Sequence, residues 1–419
     1  MAKRANKNGG DSRQLRTIPL LTVEARLKRT LRRHLKSLGF TRSADGALAP
    51  PDTSKEGIRR LHAMQRAERI QQSQSFIDEK LPTLRKFFAN GREIAPSRIM
   101  PRLELIEAGT EQSELFRLAS LTWAVPVSQG YGRRMRFLVW DDHNGKLIGI
   151  FALGDPVFNL RVRDQLIGWD SHGRRERLVN VLDAFVLGAV PPYNMLLGGK
   201  LIASLIRTRE VVDHFALRYR QTKGVISGRM KKASLVMVTT SSSLGRSSIY
   251  NRLKLDGQPY FENVGFTQGW GHFHIPDELF GEMREYLKRK KHKYAENHRF
   301  GQGPNWKMRA MRESIKLLGE NPDILCHRIF RELYICELAS NATKILRGEA
   351  VRPNYRGLQS AETVSDLAID RWVAPRAARM REFRQWRRTQ IDELFKPMFD
   401  SNGHRILEAP MEEIRRTYA

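Results

Sequence analysis

A glycine turn near the middle of the chain has the residue types that hold a phosphate group. In the sequence GAVPPYNMLLGGKLIASLI, an apolar run passes through Gly198, Gly199 and Lys200 into a second apolar run. At such a passage from strand to helix, glycines allow backbone amides to approach an anion at the helix N-terminus, and Lys200 adds positive charge. The alternative interpretation is structural, because paired glycines also permit a helix to pack closely against a sheet.

A second polar turn follows a second apolar run, LVMV. The segment TTSSSLGRSSIYNRLKL, Thr239 to Leu255, places hydroxyl groups, a glycine and an arginine ahead of a predicted helix. Such donors suit an anion, although Ser247 or Ser248 can also serve simply as a helix N-cap. The two turns together predict a site for an anionic cofactor. The residues assigned to it are Tyr193, Asn194, Gly198, Gly199, Lys200, Arg246 and Ser247.

One carboxylate lies in an unusual place, inside the apolar strand-like run VNVLDAFVL. An unpaired buried carboxylate is costly, so Asp183 is either paired structurally or a general base with a raised pKa. Tyr250 falls in the first turn of the helix predicted after the second polar turn, near the end of the sheet. The sequence therefore offers Asp183 as a catalytic base and Tyr250 as a catalytic acid.

The charge of the chain points to a polyanionic partner. The 419 residues include 73 Lys and Arg against 45 Asp and Glu, a formal net charge of +28. Charge of this size costs self-repulsion and is typical of proteins that bind nucleic acid, of which DNA is the expected one. A basic solubilising surface and an anionic membrane surface are the alternatives.

Three basic segments are candidates for phosphate contact, namely GYGRRMRF, KRKKHK and RAARMREFRQWRRTQ. The third is predicted as a helix covered by arginines, with Phe383 and Trp386 as an apolar stripe. An exposed edge strand and a docking helix paired with acids are the structural alternatives. The residues assigned to nucleic acid are Arg133, Arg134, Lys288, Arg289, Lys290, Lys291, Arg384, Arg387 and Arg388.

Several classes of protein are disfavoured by the sequence. Two cysteines, Cys326 and Cys336, provide no disulfide framework or metal-binding spacing, and they fit a reducing cytoplasm. The basic, polar N-terminus is no secretory signal, and no apolar stretch reaches the ~20 residues of a membrane helix. His272 and His274 would share one face of a strand, but no third ligand is apparent, so no metal is predicted. Leu201 after Lys200 departs from a Walker-type loop.

The pattern of the chain predicts an α+β protein with a mixed central sheet. We expect a disordered basic arm over 1–18, a helical region over 19–97, a sheet-containing domain over 98–282 and a basic helical region over 283–419. Within the central domain, FLVWDDHNGKLIGIFAL is typical of a hairpin. The segments LCHRIFRELYICELASNATKILRG and RAARMREFRQWRRTQIDELF are predicted as helices.

The central domain resembles the acetyltransferase fold of the GNAT type. The strings AVPPYNMLLGGKL, SSIYNRL and NVGF stand where that family has its pyrophosphate-binding turn, the helix with a tyrosine near the thiol, and a following strand. The resemblance implies an acyl-coenzyme A cofactor and a strand carboxylate, here Asp183, as base. The family's turn reads Gln/Arg-x-x-Gly-x-Gly/Ala, whereas Met195 and Lys200 stand at its first and last positions when Gly198 takes the first glycine. When Gly199 instead takes the second small position, Leu197 stands at the position of the first glycine.

A longer resemblance, from about Leu31 to Lys291, is to the DruA family of the Druantia anti-phage systems of bacteria. It is carried by ELFRLASLTWAVPVSQGYGRRMRFLVWD, KLIGIFALGDPVFNLRVRDQLIGWD, LVNVLDAFVLGAVPPYNMLLGGKLIASL, TTSSSLGRSSIYNRL and GFTQGWGHFHI. The resemblance implies a cytoplasmic protein of phage defence that works with other proteins of its system.

Two hypotheses follow from these observations. In the first, the chain is a recognition or adaptor module that binds nucleic acid through its basic helices and an acetyltransferase-like core. In the second, it is an acyltransferase-like enzyme that modifies nucleic acid, or a target bound to it, with an acyl-coenzyme A or a similar anionic cofactor. The departure at Met195 favours the first, and the serine-rich loop with Arg246 and Tyr250 favours the second.

Overall fold

A computed structural model describes residues 21–43, 48–128, 130, 132–223, 228, 230–296 and 304–396. The basic arm predicted over 1–18 lies outside these residues, as does Tyr131 of the GYGRRMRF segment. The helices are α1 (Val23–Ser37), α2 (Lys55–Gln71), α3 (Gln74–Leu84), α4 (Glu111–Ser120), α5 (Arg161–Ile167), α6 (Ser171–Arg177), α7 (Gly198–Leu205), α8 (Arg209–Tyr219), α9 (Asp277–Arg289), α10 (Pro304–Leu317), α11 (Ala342–Arg347), α12 (Ala361–Ala368) and α13 (Ala374–Arg379).

The strands are short at the ends of the chain and long at its centre. They are β1 (Thr41–Arg42), β2 (Leu48–Ala49), β3 (Pro101–Leu105), β4 (Arg134–Asp141), β5 (Lys146–Gly154), β6 (Val181–Ala189), β7 (Gln221–Lys223), β8 (Met230–Lys232), β9 (Met237–Ser241), β10 (Lys254–Leu255), β11 (Gln258–Pro259), β12 (Glu262–Phe266) and β13 (Glu332–Glu337). The hairpin predicted from FLVWDDHNGKLIGIFAL is confirmed as β4 and β5.

Within the described residues, seven strands form one mixed sheet in the order β12-β13-β9-β6-β5-β4-β3. All neighbours are antiparallel except β6 and β9, which are parallel. The predicted α+β class with a mixed central sheet is therefore confirmed. Helices cover both faces, with α7 packed on β5 and β6 and α4 packed on β4 and β5.

The central parallel pair is held together over a very short register. Val181–Asp183 lies opposite Met237–Thr239, and the pairing ends there. Strand β6 continues along β5 to Ala189, while β9 continues along β13 to Ser241. A bulge at Phe185 bends β6 just beyond the pairing. The two strands thus separate toward their carboxyl ends, where both polar turns of the sequence begin.

The core explains why α7 forms immediately after the glycine turn. Leu201, Ile202 and Leu205 of α7 are all buried against the sheet. Complete burial of each such side chain contributes about 1.5–3 kcal/mol. The helix predicted in this segment is confirmed, beginning at Gly198.

The prediction of a continuous helix around the two cysteines is wrong. Residues Glu332–Glu337 form β13, which is buried between β9 and β12, and Cys336 lies on it. A strand buried on both faces reads as an unbroken apolar run, which periodicity does not distinguish from a buried helix. Burial raises the pKa of the Cys336 thiol to about 12, and both cysteines are free thiols.

The C-terminal arginine-rich segment is also not one helix. Helix α13 ends at Arg379, Met380 is extended, and two 3₁₀ helices follow over Glu382–Gln385 and Arg388–Phe395. The predicted apolar stripe is confirmed, because Phe383 and Trp386 are both buried. Its arginines consequently point in several directions instead of covering one cylinder.

The residues divide into two compact units. One comprises the chain up to Ser37 together with Asp277–Pro322, and the other comprises Leu38–Pro276 and the chain from Asp323 onward. In the first unit, Leu27, Leu31 and Leu35 are buried on α1. The boundaries expected from the sequence at 97/98 and 282/283 stay a prediction. Among the described residues, no helix has the length and apolar character needed to cross a bilayer.

The C-terminal segment docks on a glycine that tolerates no side chain. The amide of Gly91 donates to the carbonyl oxygen of Trp386 at 2.8 Å, and a Cβ at Gly91 would overlap the carbonyl oxygen of Phe383. We expect Gly91→Ala to lower the free energy of unfolding by roughly 2 kcal/mol in urea titrations, because backbone must move. Gly357→Ala, with no atom within 4 Å of the added methyl, is the matched control. Equal stabilities of the two variants would contradict this account of the docking.

Candidate functional site

Asp183 lies at the last residue pair of the parallel register, where β6 and β9 begin to separate. Its carboxylate accepts a hydrogen bond from the hydroxyl of Thr239, directly opposite on β9, at 2.7 Å. Burial raises the pKa of Asp183 to about 6, while the Thr239 hydrogen bond and the charge of Arg163 act to lower it. The carboxylate is therefore both hydrogen-bonded and able to change charge close to neutral pH, as a general base does.

Tyr250, the second predicted catalytic residue, lies on the turn that follows β9. It begins a 3₁₀ helix, Tyr250–Arg252, in place of the longer helix predicted there. Burial raises its pKa to about 12; a hydrogen bond with Thr240 lowers the pKa and the charge of Asp183 raises it. The Thr240 hydroxyl also donates to the carbonyl oxygen of Ala184 at 2.9 Å. The structure thus brings Asp183 and Tyr250 into one electrostatic environment.

Two threonines in this site were not among the residues that the sequence analysis selected. Thr239 and Thr240 are buried, and each fastens one of the two candidate catalytic groups at the opening between β6 and β9. The sequence contained a signal for them, since two hydroxyl residues at the end of an apolar strand need internal partners if they are buried.

The loop after β9 is held by a single carboxylate on β13. Glu332 accepts from the amide of Ser247 at 2.8 Å, from the side chain of Asn251 at 3.1 Å and from the hydroxyl of Tyr334. The guanidinium of Arg246 lies 4.0 Å from the same carboxylate, with 84% of the side chain exposed. Glu332 therefore fixes the path of the loop that carries Tyr250.

The hydroxyl of Ser247 acts as a cap. It accepts the amides of Ile249 and Tyr250 at 3.1 and 3.0 Å. This is the structural alternative that the sequence left open for a serine before a helix. Of the two neighbouring residues predicted to bind an anion, Arg246 is thus exposed and Ser247 is engaged within the loop.

The glycine turn after β6 is closely packed. A Cβ at Gly198 would lie 2.6 Å from the carbonyl oxygen of Tyr193, and one at Gly199 would lie 3.2 Å from the side chain of Ile249. Leu197, which precedes them, has a φ of +59°. Close packing is thus one reason for both glycines, and Gly199 joins the turn after β6 to the loop after β9.

Tyr193 and Asn194 lie beneath the turn. The Tyr193 hydroxyl donates to a carboxylate oxygen of Asp141 at 2.7 Å and accepts from Asn144 at 2.8 Å, and the ring is fully buried. In Asn194, the buried side-chain oxygen has no hydrogen-bond partner among the described residues. Tyr193 therefore anchors the turn to the β4–β5 hairpin.

Lys200, in the first turn of α7, lies within the electrostatic influence of two arginines. Lys200 lies 5.2 Å from the ring centre of Trp372, and its pKa is lowered by burial and by the charges of Arg252 and Arg371. Within the described residues none of these three cations forms an ion pair. We call Lys200, Arg252 and Arg371 the cationic cluster. Its unbalanced charge, next to a helix N-terminus, favours an anionic ligand.

The residues predicted to bind nucleic acid differ in how far they are engaged by the protein. The side chain of Arg133 is only 8% exposed and pairs with Asp155 at 2.7 Å, and Arg388 pairs with Glu93. These two arginines are thus paired with acids of the protein, which was the alternative to phosphate contact. Arg134, Arg384 and Arg387 are exposed.

The basic run after α9 is partly neutralised within its own unit. Lys288 pairs with Glu285 at 2.9 Å, and Lys290 pairs with Glu24 at 3.0 Å. Arg289 and Lys291 are exposed and form no ion pair among the residues that the structure describes. Unlike Lys288 and Lys290, these two side chains are therefore not held in an ion pair there and can reach a phosphate.

The two histidines of GHFHIP do not lie on a strand, contrary to the prediction. They fall in the turn region after β12, where His274 is buried and its Nε2 donates to the carbonyl oxygen of Ile324 at 2.9 Å. Around it lie His62, stacked on Phe273 at 4.1 Å, and His327. The described residues contain no group of three or more side chains placed to hold a metal ion.

Burial keeps two of these histidines, His62 and His327, neutral. It lowers the pKa of His62 to about 4 and that of His327 to about 2, and the nearby charge of Arg331 acts in the same direction. The guanidinium of Arg331 lies 3.3 Å from Nε2 of His62. His62 thus accepts from Arg331 through a neutral ring.

The fold and site define a mixed α+β protein with a cationic turn and a half-buried carboxylate at the point where its parallel strands separate. The family described as "Druantia protein DruA" matches residues 52–348. A relative of that name from Escherichia coli (strain UMEA 4076-1) is 52% identical over 395 residues, which cover 94% of this chain and 96% of the relative. The chain belongs to the DruA family, a component of the Druantia anti-phage defence system. No solved structure matches it.

The neutral histidines predict a specific loss of stability in acid. Unfolded histidines bind protons below about pH 6.5, whereas folded His62 and His327 do so only near about 4 and about 2. The contribution of these two groups to the free energy of unfolding is complete above about pH 6.5. It is lost as the pH falls, and each group lowers the free energy of unfolding by up to about 1.4 kcal/mol per pH unit. Urea titrations between pH 7 and 4 measure this slope.

His62→Gln should reduce the slope of the unfolding free energy against pH by the amount that one titrating group contributes, up to about 1.4 kcal/mol per pH unit. The exposed His172→Gln controls for the loss of an imidazole elsewhere on the chain. If His62→Gln and the parent protein show the same slope, the neutral cluster is not the source of the acid sensitivity.

Proposed function

We propose that this protein is the nucleic-acid-binding recognition module of its Druantia system, built on an acetyltransferase-like core. It acts in the cytoplasm, binds DNA through phosphate contacts and recruits other proteins of the system. The observation that carries the proposal is the cationic cluster. Lys200 lies over the ring of Trp372, the charges of Arg252 and Arg371 act on Lys200, and none of the three forms an ion pair among the described residues. Uncompensated positive charge of this kind attracts an anionic ligand.

The acetyltransferase-like core is supported by the position of the glycine turn in the sheet. Ligands of open sheets bind beyond the carboxyl ends of parallel strands at the point where the strand order changes. Here β6 and β9 are the parallel pair, and the turn carrying Gly198, Gly199 and Lys200 begins directly after β6. The same position in an acetyltransferase receives the pyrophosphate of coenzyme A.

The departures from the acetyltransferase turn also support a binding role. Lys200 replaces the small second residue and becomes part of the cationic cluster, while the carbonyl oxygen of Met195 accepts from Arg376 at 3.4 Å. A bulkier and more basic turn suits a phosphate of a polymer, which approaches along the surface and needs no deep cradle.

The cationic cluster predicts the salt dependence of DNA binding. We expect Arg252→Gln and Arg371→Gln, separately and together, to weaken binding of a fluorescein-labelled duplex in anisotropy titrations. Each lost phosphate contact should reduce the slope of log K against log salt by about 0.9. Arg356→Gln, an exposed arginine on another loop, is the matched control. Unchanged slopes in the double variant would remove the cluster from the DNA interface.

A second function, group transfer, is favoured by a different observation. Asp183 and Tyr250 are each held by a hydroxyl of β9, and the pKa of Asp183 is raised to about 6. Where an acyl-coenzyme A binds, the turn amides and the cationic cluster would hold its phosphates, and the coenzyme would supply an acyl thioester. Asp183 would accept a proton from the acceptor group, and Tyr250 would donate one to the leaving thiolate.

The enzyme proposal predicts a heat of binding with acetyl-coenzyme A and a mass increase in nucleosides digested from treated DNA. The rate should rise with pH through about 6, because Asp183 must be ionised to act as a base. Asp183→Asn and Tyr250→Phe should keep coenzyme binding and lower the rate by roughly 100-fold or more. Parent protein that gives neither heat nor mass change leaves only the binding function.

A further inference from the structure

One stretch of the chain is basic and entirely free of acids. From His214 to Leu255 the sequence has no aspartate or glutamate. Its lysines and arginines are Arg218, Arg220, Lys223, Arg229, Lys231, Lys232, Arg246, Arg252 and Lys254. The first part of this stretch forms the end of α8 and the β7–β8 ribbon, which the sequence analysis did not select.

The β7–β8 ribbon has two unlike faces. Its register pairs Gln221 with Lys232 and Lys223 with Met230, so these four side chains share one face, and Lys231 lies on the other. The Lys231 ammonium donates to the carbonyl oxygen of Arg175 at 2.5 Å and lies 3.5 Å from the carboxylate of Glu176. One face is therefore fastened to α6 and the other is directed to solvent.

The solvent face combines three kinds of group that read DNA. Gln221, Lys223 and Lys232 are exposed, and Met230 is exposed to 61%. Lysine ammonium groups contact phosphates or guanine, glutamine pairs with adenine, and an apolar side chain contacts the thymine methyl group. Met230 therefore supplies this face with an apolar side chain that can contact a thymine methyl group, beside Lys223 and Lys232.

The basic surface continues beyond the ribbon onto the edge of the sheet. The hydroxyl of Tyr219, at the end of α8, donates to the carbonyl oxygen of Arg134 at 2.8 Å and accepts its amide at 3.0 Å. Arg134, Arg218 and Arg220 are exposed around this joint. None of Arg218, Arg220, Lys223 and Lys232 forms an ion pair within the described part of the chain, so the surface carries uncompensated positive charge.

We propose that the solvent face of the β7–β8 ribbon inserts into the major groove of a B-form DNA duplex. Arg134, Arg218 and Arg220 contact the flanking phosphates. The B-form major groove is about 12 Å wide and admits a two-stranded ribbon. The deep, narrow major groove of A-form RNA does not admit side chains in this way. The inference rests on the proposed function only in that the partner is nucleic acid; it names a surface distinct from the cationic cluster.

The test uses the full chain and a short fluorescein-labelled DNA duplex. Lys223→Glu combined with Lys232→Glu should weaken binding by at least roughly tenfold per residue and lower the salt slope by about 2. Arg352→Glu combined with Arg356→Glu makes the same change of charge on an exposed loop and should alter affinity little. Thermal melts confirm that both double variants fold.

A second arm separates groove reading from general charge. Met230→Ala and Gln221→Ala keep the net charge and should reduce discrimination between duplex sequences while preserving the salt slope. A duplex in which 7-deazapurines replace purines lacks the N7 acceptors of the major groove, and the parent protein should bind it more weakly. Equal affinity for both duplexes overturns insertion into the major groove.

The outcomes also separate this inference from the proposed function. A parent protein that binds no DNA defeats both. A parent protein that binds DNA while Lys223→Glu/Lys232→Glu binds as well as the Arg352/Arg356 control defeats only the ribbon. Stronger binding of duplex RNA than of duplex DNA likewise defeats the ribbon proposal, because the groove it fits belongs to the B form.

Discussion

The whole candidate site depends on how short the pairing between β6 and β9 is. Only Val181–Asp183 and Met237–Thr239 are in register, and both strands then continue with other neighbours. The unpaired ends leave room that the hydroxyls of Thr239 and Thr240 fill with hydrogen bonds across the opening. Asp183 therefore lies in the last residue pair before the two strands separate. Burial raises its pKa at this position, while the hydroxyl of Thr239 remains as a polar neighbour.

The two loops that leave the separated strands are fixed by different interactions. The turn after β6 is anchored through Tyr193 to Asp141, whereas the loop after β9 is anchored through Glu332 on β13. Gly199 packs on Ile249 and brings the loops together. Because both loops are held from below, the groups above them keep a defined geometry. An anion bound at the turn would therefore meet backbone amides whose positions are fixed by the fold.

Local patterns of the sequence were sufficient for much of the fold. The glycine of the turn in the β4–β5 hairpin and the apolar face of α7 predicted those elements, and the cost of a buried charge predicted that Asp183 has a special environment. The predictions that were wrong concern segments whose structure depends on contacts distant in the sequence. Strand β13 reads as a helix because its burial depends on two strands that precede it by many residues.

Contacts distant in the sequence also explain why two residues of the cationic cluster were not predicted. Arg252 and Arg371 join Lys200 only through tertiary packing, and no spacing in the sequence connects them. The C-terminal arginines were predicted to share one helix, but Phe383 and Trp386 dock on the segment around Gly91 and break the helix there. Tertiary burial of two aromatic rings outweighed a helical propensity that is worth tenths of a kcal/mol per residue.

The position of β13 has a consequence for the order in which the protein acquires its structure. Strand β12 pairs only with β13 in the sheet, and the loop bearing Tyr250 is held by Glu332 of that same strand. During synthesis, residues 277–322 of the other unit leave the ribosome before β13 does. Contacts of such long sequence separation form late. A nascent chain thus carries β12 as an unpaired edge and the Tyr250 loop without its anchor until translation has passed Glu337, and the candidate site is among the last parts of the molecule to be completed.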